Sequence, residues 1–139
     1  MNKLNKIKRV FCPLPLAGLL AFFCIFPANA QSITGIWLTE NGESKVEIYE
    51  RSGELFGKVI WVKEPTEKAQ KSVGVTILKN FVLQEDNTYT GSIFAPHLNK
   101  TFKGAITPKS ESEITVHGFL GISLFGSSQY WERANSINN

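Results

Sequence analysis

From Thr34 onward, apolar and polar residues alternate with a period of two, the spacing of strands with one face buried. The clearest stretch is Ser44–Arg51, where Val46 and Ile48 fall on one face and Lys45, Glu47, Tyr49 and Arg51 on the other. Before it, Thr34–Thr39 is short and apolar and ends at an Asn41-Gly42 turn; after it, Ser52-Gly53 leads into a third strand, Glu54–Val62. Lys63–Ser72 has no periodicity, a single apolar residue and mixed charge, and reads as a solvated connection. Val73–Gln84 is rich in apolar residues, but its spacing fits a short helix as well as a strand, so Val73–Leu83 is left open between the two. Four more strands follow: Thr88–Ala95 ending at Pro96, Lys100–Thr107 ending at Pro108, Glu113–Leu120 running into a turn that holds Gly121, and Ser127–Arg133, with a polar tail after it. No segment forms an amphipathic helix of useful length. Evenly spaced short strands with turns between them predict an all-β fold, a small antiparallel meander barrel of about eight strands.

Four of these strands carry the pattern apolar-x-Gly-x-apolar, centred on Gly57, Gly91, Gly104 and Gly118. In a strand, each glycine shares a face with its two apolar flanks, which points all four glycines inward. Glycine weakens a strand unless it relieves something. Two reasons fit: sharp bending with room for bulky Trp rings, or room for a ligand. An eight-stranded barrel has an interior that side chains can fill or that holds one small molecule. Trp61, Tyr89, Phe102 and Trp131 are the large aromatics expected to reach the interior and line any such space. On the opposite face, Phe56, Ile60, Val62, Phe94 and Phe119 are expected to be covered in part by the Val73–Leu83 segment.

The first thirty residues differ in kind. Lys3, Lys6, Lys8 and Arg9 precede an apolar run that is unbroken over the eleven residues Leu16–Phe26, and Ala28-Asn29-Ala30 follows. A basic start, a short apolar core and an A-x-A site make a secretory signal peptide. The run is too short for a membrane-spanning helix, which needs about 20 residues. Residues 1–30 are therefore expected to be cleaved, leaving a single domain of residues 31–139 with its core at residues 34–133, exported to the periplasm or beyond and with no membrane span. An uncleaved anchor is disfavoured by Pro13 and Pro15. A lipidated Cys24 is disfavoured by Phe22-Phe23 before it, where a small residue is normal.

Cleavage also changes the charge and the available chemistry. The full chain is +3, but residues 31–139 hold eleven Lys and Arg against twelve Asp and Glu. Nucleic-acid binding thus lacks its main electrostatic term. Cys12 and Cys24 both lie in the leader, so no disulfide, thiol nucleophile or zinc site is available afterwards. His97, in a turn, and His117, on an outer strand face, do not pair as metal ligands. No serine sits in a Gly-x-Ser-x-Gly elbow. Glu47 with Glu50, and Glu111 with Glu113, lack the apolar pocket that makes one carboxyl an acid catalyst. The reading is no enzyme, no catalytic residue, no metal and no cofactor. The one long-range constellation joins Trp37 in the first strand to Arg133 in the last, which become neighbours when a meander closes; a guanidinium over the indole would stabilise that closure by about 0.5–2 kcal/mol.

A Gly-x-Trp near the start of a small barrel, with an Arg in its last strand, resembles the lipocalin, fatty-acid-binding and avidin superfamily. A more specific resemblance covers nearly all of residues 33–134. It is carried by Gly35–Gly42, Val46–Tyr49, Leu55–Pro65, Gly118–Gly126 and Gln129–Arg133 in order, and is to the bacterial "domain of unknown function 2147" family. That resemblance implies a signal-bearing envelope protein with a lipocalin-like barrel and no established activity, substrate or cofactor. The chain departs from the family in its short Lys63–Ser72 segment. It has Phe94-Ala95-Pro96 where the family tends to Tyr-Asp-Pro, and Gly126-Ser127-Ser128-Gln129 where it tends to Gly-Arg-Thr-Gln, so a site using that Asp and Arg together is not expected to carry over. Two roles stay open: a barrel that holds a small apolar or amphipathic ligand, or a filled barrel that acts through its surface on another envelope protein.

Overall fold

The computed structural model describes residues 31–119 and 126–135. The expected leader, the Gly121 turn and the end of the polar tail lie outside the described residues. The strands are β1 (Gly35–Leu38), β2 (Ser44–Arg51), β3 (Glu54–Val62), β4 (Thr76–Leu83), β5 (Tyr89–Ala95), β6 (Lys100–Ser110), β7 (Glu113–Phe119) and β8 (Gly126–Arg133). Each pairs antiparallel with the next, and β8 pairs with β1 to close an eight-stranded barrel. One helical turn, α1 (Glu67–Gln70), sits between β3 and β4, with Thr66 Oγ1 accepting the Ala69 N–H at its start. Val73–Leu83 thus resolves as mainly strand. Because β4 is part of the wall, it cannot cover the outer face as expected. Val62 belongs to the inner face, where it is buried, and outside the barrel Phe56 stacks on Tyr49 and Phe119 meets His117 edge-on.

The core is the inner face read off the alternation: Trp37, Val46, Ile48, Leu55, Val59, Ile106, Ile114, Val116 and Trp131 are all buried. The period of two breaks at several register shifts, two of which re-aim aromatic side chains. In β3, Val46 pairs with Val59 but Lys45 pairs with Trp61, leaving Ile60 as an extra residue. In β4, Lys79 pairs with Ser92 and Val82 with Thr90, so Asn80 and Phe81 together oppose Gly91. Asn80 takes a φ of 56° and is exposed, while Leu78 and Phe81, three apart, both point inward and are 1% exposed. An inserted residue with left-handed backbone re-phases a strand in this way. It also explains the ambiguous spacing of this segment, since inward residues three apart imitate a helix.

Pro108 does not end β6. It pairs with Ile114 of β7, whereas the β5 pairing of β6 stops at Tyr89–Ile106, so Pro108 lies where β6 has β7 as its only paired neighbour. A residue without an N–H is tolerated there.

One end of the barrel is plugged. Ile33 is 1% exposed, and the indole N–H of Trp37 donates to its carbonyl at 2.8 Å. The Arg133 guanidinium stacks on the Trp37 ring at 4.3 Å. It donates to Ser32 O (3.2 Å), Thr34 O (2.7 Å) and Glu111 O (2.6 Å), tying the N-terminal segment to β8 and to the β6–β7 turn. Gly35, at φ 129°, lies beneath this guanidinium, and a Cβ there would sit 2.6 Å from Arg133 Nη1. Tyr89 completes the plug, its hydroxyl donating to Gln31 O at 3.4 Å.

Burial, and secondarily the Glu50 carboxylate, raise the Tyr89 phenol above its ordinary value. A folded state that holds this proton more tightly than the unfolded chain loses stability once the phenol ionises. The contribution is therefore complete below about pH 10 and falls at higher pH. The melting temperature is expected to drop more steeply between pH 10 and 12 in the wild type than in Tyr89→Phe; parallel profiles would contradict this.

Candidate functional site

The opposite end collects the β1–β2, β3–β4 and β5–β6 connections and opens into a cavity of about 440 Å³. Its wall follows from the inward phase of each strand: Val46 from β2, Val59 from β3, Leu78 from β4, Ile93 from β5, Phe102 from β6, and Val116 and Gly118 from β7. Trp131 from β8 is 3% exposed and donates its indole N–H to Gln129 Oε1 at 2.9 Å. Both residues line the space. The rim is polar. Thr39, Glu43 and Ser44 come from the β1–β2 connection, Ser72 from the segment after α1, His97 from the β5–β6 turn and Ser127 from the start of β8. Leu98, half-exposed, adds an apolar residue to that rim.

Backbone hydrogen bonds hold the rim in place. Thr39 and Ser44 exchange an N–H···O=C bond of 2.9 Å and an N–H···Oγ1 bond of 3.0 Å. The Lys63 N–H donates to Glu43 O at 2.8 Å. Val59 donates to Val75 O and accepts from the Gly74 N–H, which folds the α1 segment back against β3.

The inner glycines divide into two kinds. Gly91, Gly104 and Gly118 are direct cross-strand neighbours, a row of missing side chains across β5, β6 and β7. The space at Gly57 is taken by Leu78, at Gly91 by Phe81 and at Gly104 by Ile93. At Gly118, by contrast, a Cβ would meet among the described residues only Ile93 Cδ1, at 3.9 Å. Aliphatic side chains and one Phe, rather than Trp rings, fill the gaps of the first three. The fourth opens onto the cavity. Packing and vacant space thus each account for part of the pattern.

Of the four aromatics expected to line the interior, Phe102 and Trp131 stand on the cavity wall. Tyr89 faces inward at the plugged end, where it lines a separate, smaller space of about 230 Å³ with Ile33 and Phe81. Trp61 lines neither space. The β3 bulge shifts it out of phase with Gly57 and pairs it with Lys45, whose Nζ lies 5.4 Å from the indole centre. Lys45 itself is 3% exposed. The plugging Ile33 and the space-filling Leu78 and Ile93 were not anticipated. Ile33 is a lone apolar residue outside any periodic run, and neither filler can be told from an ordinary strand residue by pattern. Among the described residues no group of His, Cys, Asp and Glu could hold a metal ion, and no helix is long and apolar enough to cross a membrane. His117 shares a hydrogen bond of 2.5 Å with Ser128 on the outer face, away from the cavity.

Comparison with known proteins agrees with this architecture. The family model described as "Uncharacterized protein conserved in bacteria (DUF2147)" matches residues 35–133, from the first residue of β1 to the last of β8. A solved structure from the human pathogen Helicobacter pylori, protein HP1028, described as belonging to the lipocalin family, superimposes with a TM-score of 0.61. The two are 16% identical over 75% of this chain and 84% of that one, a likeness of fold. No curated protein matches.

Proposed function

The chain belongs to the DUF2147 family of bacterial proteins, and we propose that it is an exported binding protein, not an enzyme, which holds one small apolar or amphipathic molecule in the open end of a lipocalin-like barrel. The observation that carries this reading is the cavity itself. It is plugged at one end by Ile33 and open at the other, with apolar side chains inside and polar ones at the mouth. Its volume of about 440 Å³ lies within the span of small-molecule sites, about 300–1,000 Å³. Burial of an alkyl chain there would contribute about 0.8 kcal/mol per methylene. Export is read from the leader. A chain that begins at Gln31 keeps every carbonyl contact that Tyr89 and Arg133 make with residues 31–34.

The test uses the protein recovered from the cell envelope. Terminal sequencing is expected to find Gln31 first, and native mass spectrometry to find one bound small molecule per chain. After delipidation, an uncharged fluorescent probe such as N-phenyl-1-naphthylamine should bind saturably and perturb Trp emission through Trp131. Gly118→Val places methyl groups in the vacant space next to Ile93 and should weaken probe binding at least tenfold while leaving the melting temperature nearly unchanged. A probe that does not saturate, together with no co-purified molecule, would favour a filled barrel that acts through its outer surface.

A further inference from the structure

We propose that the open-end cavity selects amphiphiles with an uncharged or cationic head group and rejects those with a carboxylate; the inference rests on the binding role proposed above. It follows from the ionisable groups of the site. Among the described residues that line the cavity, only Glu43 and His97 have ionisable side chains, and none is Lys or Arg. Among the described lysines, Lys79 holds its Nζ 5.3 Å from the ring of the lining residue Phe94 and Lys71 pairs with Glu67 at 3.3 Å; neither belongs to the lining, nor do Lys63 and Lys100.

The backbone of Glu43 is fixed at the mouth, and its side chain is exposed. Glu43 ends the β1–β2 connection, and its carbonyl is held by the Lys63 N–H. The remaining polar side chains are neutral: the hydroxyls of Thr39, Ser44, Ser72 and Ser127, and the Gln129 amide, whose oxygen accepts from Trp131. An alkyl chain in the apolar interior brings its head to this rim. A hydroxyl or amide head finds neutral partners there and an ammonium finds the Glu43 carboxylate. A carboxylate meets a like charge at the edge of a low-dielectric space with no lining cation to offset its desolvation.

The experiment compares dodecanol, dodecylamine and dodecanoate below their aggregation limits, by displacement of the neutral probe from the delipidated protein. It is repeated in His97→Asn, so that no imidazolium supplies a counter-charge, and in Glu43→Lys. Dodecanol and dodecylamine are expected to displace the probe at least tenfold more tightly than dodecanoate in the wild type and in His97→Asn. Glu43→Lys should reverse the order of amine and carboxylate and leave the alcohol within about twofold. Dodecanoate binding as tightly as dodecanol in the wild type, or an order of amine and carboxylate unmoved by Glu43→Lys, would overturn the head-group inference and leave the binding role standing. Displacement by none of the three while the probe still saturates would also overturn the inference. Failure of the probe itself would overturn both.

Discussion

Trp37→Ala is expected to remove about 3–5 kcal/mol of stability, the cost of deleting a large aromatic from a packed interior. Trp37 is fully buried and connects three parts of the molecule. It pairs with Val46 in β2 and with Arg133 in β8, and its indole N–H holds the Ile33 carbonyl. Alanine would leave a void, an unsatisfied carbonyl and a guanidinium without the ring it rests on. A domain with a typical stability of about 5–15 kcal/mol would lose a large share of it. Trp37→Phe keeps most of the volume and loses the indole N–H, so its smaller loss measures the hydrogen bond to the plug. Denaturant unfolding of the three proteins gives the comparison. A Trp37→Ala protein within 1 kcal/mol of wild type would contradict the closure described here.

Gly91→Val is expected to cost about 3 kcal/mol, the upper part of the usual range for overpacking. A Cβ at Gly91 would lie 2.7 Å from the Lys79 carbonyl oxygen and 2.7 Å from Phe81 Cδ2. The carbonyl is backbone and cannot swing aside. The Phe81 ring, 1% exposed, is held within the core. The change would therefore push on the β4 bulge, which sets the inward phase of both Leu78 and Phe81. Gly118→Val is its control, since among the described residues the same chemical change meets only Ile93 within 4 Å. If the two variants lost equal stability by thermal melting, the division between filled and vacant glycines would fall.

The barrel was legible in the sequence because its physics is local. Val46 and Ile48 in β2, and Gly57, Gly91 and Gly104 with their apolar flanks, report the inner face directly, and the turns at Asn41-Gly42 and Ser52-Gly53 punctuate the strands. β2 and β3 have the bounds that the alternation predicts, and Trp37 meets Arg133 as an up-and-down meander requires. The site was less legible because alternation counts from the nearest in-phase residue and a bulge resets that count. Trp61, in phase with Gly57 by number, is displaced by one residue at Ile60. Tyr89 faces inward as expected, but inward-facing residues divide between two ends of the barrel, and pattern alone does not say which end is plugged. That depends on Ile33, whose burial comes from its bonds to Trp37 and not from any periodicity.

The seam between β1 and β8 has a consequence for how the chain reaches its fold. The contacts that close it join residues far apart, Thr34 and Arg133 differing by 99 in sequence number, and the seam is short, two paired residues on each strand with the Ala134 N–H donating to Ile36 O beside them. Each earlier strand finds its partner through a hairpin or a short connection, so the sheet can form progressively as the chain lengthens. Closure must wait for Arg133 in β8, the last strand to be made, and brings with it the entropy cost of a long loop. Such non-local contacts slow folding. The last step thus joins the plug and the seam in one event, before which the chain is an open sheet with two free edges.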